Sequence, residues 1–237
     1  MPLPTQLPEQ DMTRPGVTPV KHVVYLHGFA SSPESSKATR FKRELESRGV
    51  SVSCPDFNHP EFETLTTTRM LGQVREALGH IKDGPIALVG SSLGAFVSVH
   101  AAARDTTGSI DRLILLAPAL DFGGNRLRQL GPTGLEDWRR SGTLRVFHYG
   151  EGVERQVGYA LYEDAAQYDA MTLPTTLPTL VFQGDQDTSV DPAMVQLWAQ
   201  GRSMVDLRML HDGHQLTDSM DFIWAESAPF LGLSPGV

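Results

Sequence analysis

The chain has 237 residues, of which 40% are hydrophobic and 20% are charged, and its formal net charge at pH 7 is −8. This length and composition are typical of one soluble globular domain with a substantial core. The acidic balance, without any run of lysine and arginine, argues against a nucleic-acid-binding protein, which needs a basic face to replace phosphate counterions. No segment approaches the roughly 20 apolar residues of a membrane span.

The N-terminal residues 1–19 contain five prolines and little apolar periodicity. This pattern predicts an extended leader along the surface of a single domain. The leader lacks the cationic start and the apolar segment of a secretory signal peptide. Cys54 is the one cysteine, so no internal disulfide forms, and such a cysteine is usually buried and inert. We therefore expect a cytoplasmic protein, either a monomer or a homodimer.

After the leader, short apolar runs alternate with segments of helical periodicity. Such strand–helix repeats predict an α/β fold: a doubly wound, mostly parallel sheet of about six strands with helices on both faces. Strands are predicted at 23–26, 50–54, 86–89, 113–116, 180–183 and 205–210, and helices at about 35–48, 64–80, 93–104, 192–200 and 217–230.

Residues 121–172 interrupt this alternation. We predict a hairpin strand at 143–149 that turns at 150–152, and a short helix around 160–170. Long insertions at the carboxyl edge of a sheet are usually functional, so this one predicts a cap or lid. Its aromatic side chains either line a pocket for an acyl group or pack the insertion onto the domain: Trp138, Phe147, Tyr149 and Tyr159.

The strongest chemical signal is Gly90-Ser91-Ser92-Leu93-Gly94, a match to G-x-S-x-G. It directly follows the predicted strand 86–89 and directly precedes a predicted helix. That setting is typical of a nucleophile elbow, in which a strained turn exposes a serine and the flanking glycines avoid collisions with the neighbouring strand and helix. The motif predicts Ser92 as a nucleophile.

A serine hydroxyl needs a general base, and the base needs a third group to orient it. Two aspartates, Asp185 and Asp187, follow the strand 180–183 and compete for the role of the acid. We favour Asp187 because it lies three residues after Gly184 and three before Val190, a spacing common in hydrolases with this chain order. Both would lie at the carboxyl edge of the sheet, where open α/β folds bind ligands.

The base is predicted from the sequence that follows the last strand, His211-Asp212-Gly213-His214. We favour His214, which follows a glycine and precedes the last helix, over His211, which lies nearer the strand end. A His-x-x-His spacing also occurs in metal sites. However, no further ligand lies at a suitable spacing, so we predict neither a metal nor a cofactor.

Attack on a carbonyl creates a negative oxygen that preorganised N–H groups must bind. One donor is predicted to be the backbone N–H of Leu93, at the N-terminus of a helix. The second is predicted to be the backbone N–H of Phe29, in the loop after the first strand, where Gly28 lets the backbone turn. His27 is predicted to brace that loop by hydrogen bonding.

These residues give the chain a resemblance to the α/β-hydrolase superfamily, in particular to the small YqiA-like bacterial esterases. The resemblance covers about residues 22–120 and 174–232. Its departures from the family pattern are the long leader and the large insertion. The motifs that resemble the family are Tyr25-Leu26-His27-Gly28-Phe29-Ala30-Ser31-Ser32-Pro33, Ser36-Lys37-Ala38, the elbow, Gly184 to Val190, and Gly213-His214.

The resemblance implies an α/β-hydrolase fold, reduced to six strands because only about 20 residues precede the first one. It also implies hydrolysis of carboxylic esters, with short acyl chains as the usual substrates. We therefore expect a serine carboxylesterase that acts on a small-molecule ester. The alternatives are a thioesterase for acyl-CoA or acylated protein, a peptidase with the same triad, and a non-catalytic binding protein of this fold.

Overall fold

The computed structural model describes residues 17–123 and 130–234. Most of the predicted leader and part of the predicted cap, residues 124–129, lie outside these ranges. Within them, no helix combines the length and the apolar character needed to cross a membrane.

The centre of the fold is a six-stranded, all-parallel sheet, whose strands are β1 His22–Leu26, β2 Ser51–Ser53, β3 Ile86–Ser91, β4 Ile110–Leu116, β7 Thr179–Gly184 and β8 Val205–Leu210. Their order in the sheet is β2-β1-β3-β4-β7-β8. The prediction of six parallel strands is confirmed, with differences of at most three residues at the strand ends.

Helices cover both faces of the sheet: α1 Ser36–Glu46, α2 Thr67–His80, α3 Leu93–Ala103, α6 Pro192–Ala199 and α7 Met220–Phe230. Successive residues of a strand point to opposite faces. Val24 and Leu26 of β1 therefore pack in one core cluster together with residues of α2, α3 and α6. Val23 and Tyr25 pack in a second cluster together with residues of α1 and α7.

The prediction of a helix over about 64–80 is wrong at its start. Phe62–Thr64 form one turn of 3₁₀ helix, and α2 begins only at Thr67. The boundary is set by Thr66, whose side-chain oxygen accepts a hydrogen bond from the backbone N–H of Arg69 at 3.1 Å. This N-cap satisfies a donor at the helix start, so the α-helix begins after it.

The insertion between β4 and β7 contains an antiparallel hairpin that is separate from the main sheet. The hairpin strand and the short helix were predicted from the sequence. The helix α4 was not, because it has only Leu135 and Trp138 as large apolar residues and so gives almost no periodic signal. The described elements of the insertion are α4 Gly131–Ser141, β5 Thr143–His148, β6 Val153–Gly158 and α5 Ala160–Ala165.

Candidate active site

Ser92 lies on the sharp turn between β3 and α3, with φ 53° and ψ −112°. This left-handed conformation costs a non-glycine residue on the order of 1–3 kcal/mol and often marks functional sites. The flanking glycines make the turn possible. A Cβ on Gly94 would lie 1.9 Å from the carbonyl oxygen of Leu26, and one on Gly90 would lie 2.5 Å from the carbonyl oxygen of Gly94.

The backbone of Ser92 is fixed by hydrogen bonds on both sides of the residue. Its N–H donates to the carbonyl oxygen of Leu116 at 2.8 Å. Its own carbonyl oxygen accepts from the N–H groups of Ala95 at 3.1 Å and Ala119 at 3.2 Å. The strained turn is therefore held by the neighbouring strand end and by the first turn of the helix.

His214 lies next to Asp187, with 2.8 Å between Nδ1 and the carboxylate oxygen Oδ2. A carboxylate only accepts hydrogen bonds, so Nδ1 is the protonated nitrogen of the neutral ring and Nε2 is left to accept a proton. The side chain of Asp187 is fully buried, whereas that of His214 is 18% exposed. The pair thus has an inner end in the protein and an outer end at a cavity.

The Asp187 carboxylate is well solvated by the protein itself. Oδ1 accepts the backbone N–H groups of Ser189 at 2.7 Å and Val190 at 2.8 Å, and Oδ2 also accepts from Nε2 of Gln183 at 3.0 Å. Burial acts to raise the pKa of Asp187, but the hydrogen bonds from His214, Val190 and Gln183 outweigh it and hold the pKa below its usual range. The group is therefore an ionised acceptor at neutral pH.

Asp185 and His211, the alternatives for the acid and the base, form a pair of their own at the protein surface. Asp185 is within 3.3 Å of Nδ1 of His211, and both side chains are at least half exposed. Nδ1 of His211 also lies 3.4 Å from Nε2 of Gln186. This second Asp–His pair is therefore exposed and solvated, unlike the pair formed by Asp187 and His214.

Hydrogen bonds to an aspartate hold the turn that contains His214, and the turn includes a residue in a rare backbone conformation. Asp212 accepts the N–H of Gly213 at 2.7 Å through Oδ1 and the N–H of Ser219 at 3.0 Å through Oδ2. Leu216 has φ 54°, a left-handed conformation in a residue with a large side chain. Such conformations persist only where the surrounding structure enforces them.

Phe29 and Leu93, the residues predicted to supply the two N–H donors, both line the cavity of Ser92. Neither backbone N–H donates to a backbone acceptor among the described residues. The prediction that Gly28 provides the turn needs correction, because the left-handed residue of this loop is Ala30, with φ 51°. A Cβ on Gly28 would lie 3.5 Å from atoms of Ser91 and Ser92, an ordinary contact distance.

His27 braces this loop, as predicted. The ring is buried, with Nδ1 2.9 Å from the carbonyl oxygen of Gly28. Nε2 accepts the backbone N–H of Phe57 at 2.9 Å, and the ring of Phe57 packs against the imidazole with 5.0 Å between centroids. Because Nε2 accepts, Nδ1 is the donor to Gly28.

A cavity of about 550 Å³ opens at Ser92 and His214. In the described part of the chain no hydrogen bond joins these two side chains, and such contacts commonly tighten only when a substrate binds. The lining mixes apolar rings with small hydroxyl groups. It includes Phe29, Ser31, Ser32, Glu34, Ser35, Ser36, Lys37, Phe122, Tyr149, Ser189 and Gln215.

The four aromatic residues predicted to line a pocket lie in different surroundings. Tyr149 lines the cavity and is 74% exposed, and Phe147 packs edge-on against it, 49% exposed. Trp138 is instead buried inside the insertion, where its ring contacts Tyr159 and Nε1 donates to the carbonyl oxygen of Val157 at 3.1 Å. Of the four aromatic residues predicted to line a pocket, Tyr149 lines the cavity at Ser92, and the lining does not include Phe147, Trp138 or Tyr159.

Sequence reasoning missed three side chains of this site: Lys37, Gln183 and Ser189. Gln183 and Ser189 gave no signal, since a strand-end amide and a loop hydroxyl are unremarkable in sequence. Lys37 did give one. It lies four and eight residues before Phe41 and Leu45, on the apolar stripe of its helix, where a charged residue is unusual.

Cys54 is the other candidate nucleophile, and it is not among the residues that line the cavity at Ser92. Cys54 is half-buried, and burial raises the pKa of its thiol to about 12, so the thiol stays protonated. No cluster of three or more histidine, cysteine or acidic side chains suited to a metal ion occurs among the residues that the structure describes.

The parallel sheet, the elbow between β3 and α3, and the position of an acid and a histidine after β7 and β8 define the α/β-hydrolase fold. The chain belongs to the Uncharacterised protein family (UPF0227), whose model matches residues 22–228. A comparison with curated proteins gives no match.

Solved structures with a similar fold come from bacteria and from mouse. A candidate hydrolase from Agrobacterium vitis S4 is 23% identical, with a TM-score of 0.78 and coverage of 89% of this chain and 88% of that one. Est1E from Butyrivibrio proteoclasticus is 19% identical, with a TM-score of 0.71 and coverage of 90% and 86%. Mouse alpha/beta hydrolase domain-containing protein 10 is 20% identical, with a TM-score of 0.70 and coverage of 87% and 88%. At these identities the likeness shows the fold.

Proposed function

We propose that the protein is a serine carboxylesterase that hydrolyses small or short-acyl esters through an acyl-enzyme on Ser92. The observation behind this proposal is the Asp187–His214 pair, whose histidine lines the same cavity as the strained serine. A nucleophilic serine needs a base and an acid that orients the base, and this pair supplies both roles at the cavity of Ser92.

In the first half-reaction, Oγ of Ser92 bonds to the ester carbonyl carbon while its proton moves to Nε2 of His214. Asp187 stabilises the resulting imidazolium and remains ionised. The carbonyl oxygen becomes negative and accepts hydrogen bonds from the N–H groups of Phe29 and Leu93. The bond to the alcohol then breaks, the alcohol takes the proton from His214, and the acyl group stays on Ser92.

In the second half-reaction, His214 removes a proton from a water molecule as the water oxygen bonds to the acyl carbon. The same two N–H groups bind the second oxyanion. The bond to Oγ of Ser92 breaks, Ser92 regains its proton from His214, and the carboxylic acid leaves. No metal or cofactor takes part in this proposed reaction.

The dimensions of the cavity favour a small substrate. Its volume of about 550 Å³ lies within the range of small-molecule sites. Serine hydroxyls form much of the wall, which suits a short or polar group better than a long alkyl chain. Among proteins of similar fold, Est1E has been solved with ferulic acid bound, and an acid is the product class of ester hydrolysis.

The nucleophile is tested by labelling with a fluorophosphonate probe, followed by intact-protein mass spectrometry. We expect the wild type to gain one adduct, Ser92→Ala to gain none, and the neighbouring Ser91→Ala to label like the wild type. Labelling that persists in Ser92→Ala, or disappears only in Ser91→Ala, would show that another serine reacts.

The substrate class is tested with matched oxygen esters and thioesters of rising acyl length, together with peptide amides. We expect the highest kcat/KM for short oxygen esters. A thioester preference of tenfold or more would replace the carboxylesterase proposal with a thioesterase. Cleavage of the amides at comparable rates would indicate a peptidase instead.

A further inference from the structure

Lys37 is a buried lysine at the wall of the Ser92 cavity. It lies in the first turn of α1 and is only 8% exposed. Its Nζ donates to the carbonyl oxygen of Gln215 at 2.9 Å and to the side-chain oxygen Oε1 of the same residue at 3.2 Å. Gln215 is the residue that directly follows the proposed base, His214.

Burying a charged ammonium group costs free energy, so an apolar side chain would be expected at the position of Lys37. Lys37 shares its helix face with Phe41 and Leu45, both fully buried. Removing an ion from water costs several kcal/mol unless partners compensate for the lost hydration. A lysine at this place is therefore explained by what its ammonium group contacts, and both of its hydrogen bonds go to the turn that contains His214.

The turn itself requires external support. Leu216 is left-handed with φ 54°, and Asp212 satisfies the N–H of Gly213 at the start of the turn. Lys37 satisfies the carbonyl oxygen of Gln215 in its middle. The hydrogen bonds of Lys37 thus link a helix near the N-terminus to a loop 178 residues further along the chain.

We propose that Lys37 is a positioning residue, which fixes the turn 213–216 through Gln215 so that His214 faces Asp187 on one side and Ser92 on the other. This inference rests on the proposed function, because it assigns Lys37 a part in keeping the base aligned. Lys37 itself does not contact the reacting atoms.

The positive charge of Lys37 also supports the proposed site, because it favours the ionised form of Asp187. The acidic groups that face it are Asp187 and Asp212, with Glu34 exposed on the same cavity wall and His214 on the adjacent turn. Burial lowers the pKa of Lys37 to about 8, although Asp187 and Asp212 act to raise it. Below that pH, the positive charge of the ammonium favours the ionised form of Asp187.

The test measures fluorophosphonate labelling rates and short-ester kinetics from pH 5 to 9 for the wild type, Lys37→Met and Lys37→Arg. Lys42→Met is the matched control, because Lys42 is an exposed lysine of the same helix, and its ion pair within residues 17–123 and 130–234 is with Glu46 at 4.0 Å. We expect Lys37→Met to lower the labelling rate and kcat by about 10- to 100-fold, the loss expected for a misaligned group, with KM changed less than about threefold.

The pH profile separates a positioning role from a purely structural one. The wild type should lose activity above about pH 8, where the Lys37 ammonium loses its proton and its charge no longer favours ionised Asp187. Lys37→Arg stays charged across this range, so it should keep part of the rate and show no such loss up to pH 9. Lys42→Met should match the wild type in both rate and pH profile.

Three results would overturn the inference while leaving the proposed function intact: wild-type rates in Lys37→Met, an equal loss of rate above pH 8 in Lys37→Arg, or a loss confined to KM. If circular dichroism shows that Lys37→Met does not fold, Gln215→Ala decides the matter. Gln215→Ala removes one of the two acceptors and should slow labelling about threefold, so an unchanged rate would contradict the inference. A wild type that neither labels nor turns over esters contradicts the proposed function and the inference together.

Discussion

The elbow and the hairpin of the insertion differ in burial. All six residues of β3 are buried and lead directly into the strained Ser92, whereas the first four residues of β6 are exposed. The hairpin is crossed by a surface ion pair between Arg145 and Glu154 at 3.4 Å, which contributes little to stability. The geometry of Ser92 is therefore fixed by buried backbone, whereas Tyr149, at the same cavity, belongs to the more exposed hairpin.

The largest effect should come from a single methyl group at the elbow. Gly94→Ala places a Cβ 1.9 Å from the carbonyl oxygen of Leu26, between α3 and β1, where no flexible side chain can yield. We expect the free energy of unfolding to fall by about 4 kcal/mol or more, or the protein not to fold. Differential scanning calorimetry measures the change in Tm.

Gly72→Ala is the matched control for this prediction. Gly72 also lies within a helix, but a Cβ there meets nothing within 4 Å. The same substitution should therefore stabilise the protein by about 0.5–1 kcal/mol and raise Tm by about 2 °C. Equal Tm values for the two variants would contradict the close packing described at Gly94.

The next effect separates the two aspartates after β7. Asp187→Asn removes the acceptor that sets the tautomer of His214 and should lower kcat by about 10⁴-fold, with the protein still folded. Asp185→Asn alters only an exposed pair with His211 and should change kcat by less than about twofold. Steady-state ester hydrolysis measures both. A larger loss at Asp185 would reverse the assignment of the acid.

Within the insertion, Trp138 should matter for stability and not for chemistry. Trp138→Ala removes a buried indole and its hydrogen bond to Val157, so we expect a loss of about 3–5 kcal/mol if the insertion unfolds together with the sheet. Urea unfolding followed by fluorescence measures the loss. A separate early transition at low urea would show that the insertion unfolds on its own, which would sharpen the contrast between the two regions.

The smallest effect concerns the exposed tyrosine. Tyr149→Ala should change stability by less than about 0.5 kcal/mol, because the side chain is largely in solvent. It should raise KM for esters about two- to fivefold, roughly what the loss of one partly buried contact costs, with kcat nearly constant. A large loss of kcat at unchanged KM would place Tyr149 among the groups that stabilise the transition state.

The main sheet and the order of the proposed triad could be predicted from the sequence because their signals are local. Four apolar residues before Gly90 and a helix after Gly94 specify a strand, a turn and a helix. The glycines are required by sterics that any close-packed elbow shares. Likewise, a residue that follows a parallel strand must lie at the carboxyl edge, so Asp187 and His214 could be expected near Ser92 before any contact was known.

The rest depended on contacts between distant segments. The inward orientation of Trp138 follows from α4, a helix with almost no periodic apolar pattern. The partner of Lys37, Gln215, lies 178 residues further along the chain. The left-handed residue of the loop after β1 is Ala30, which no propensity favours over Gly28. Such choices are made by packing, and packing is not visible in a local window.

The tip of the hairpin touches the loop that precedes α1. The N–H of Gly150 donates to the carbonyl oxygen of Ala30 at 3.3 Å, and Asn58 joins the two segments by bonding both His148 and the carbonyl oxygen of Ser31. Selection for a new substrate through changes in this hairpin would therefore also disturb the neighbour of a proposed oxyanion donor. Substrate range and turnover should evolve together in this protein, and a shortened or grafted hairpin would alter both at once.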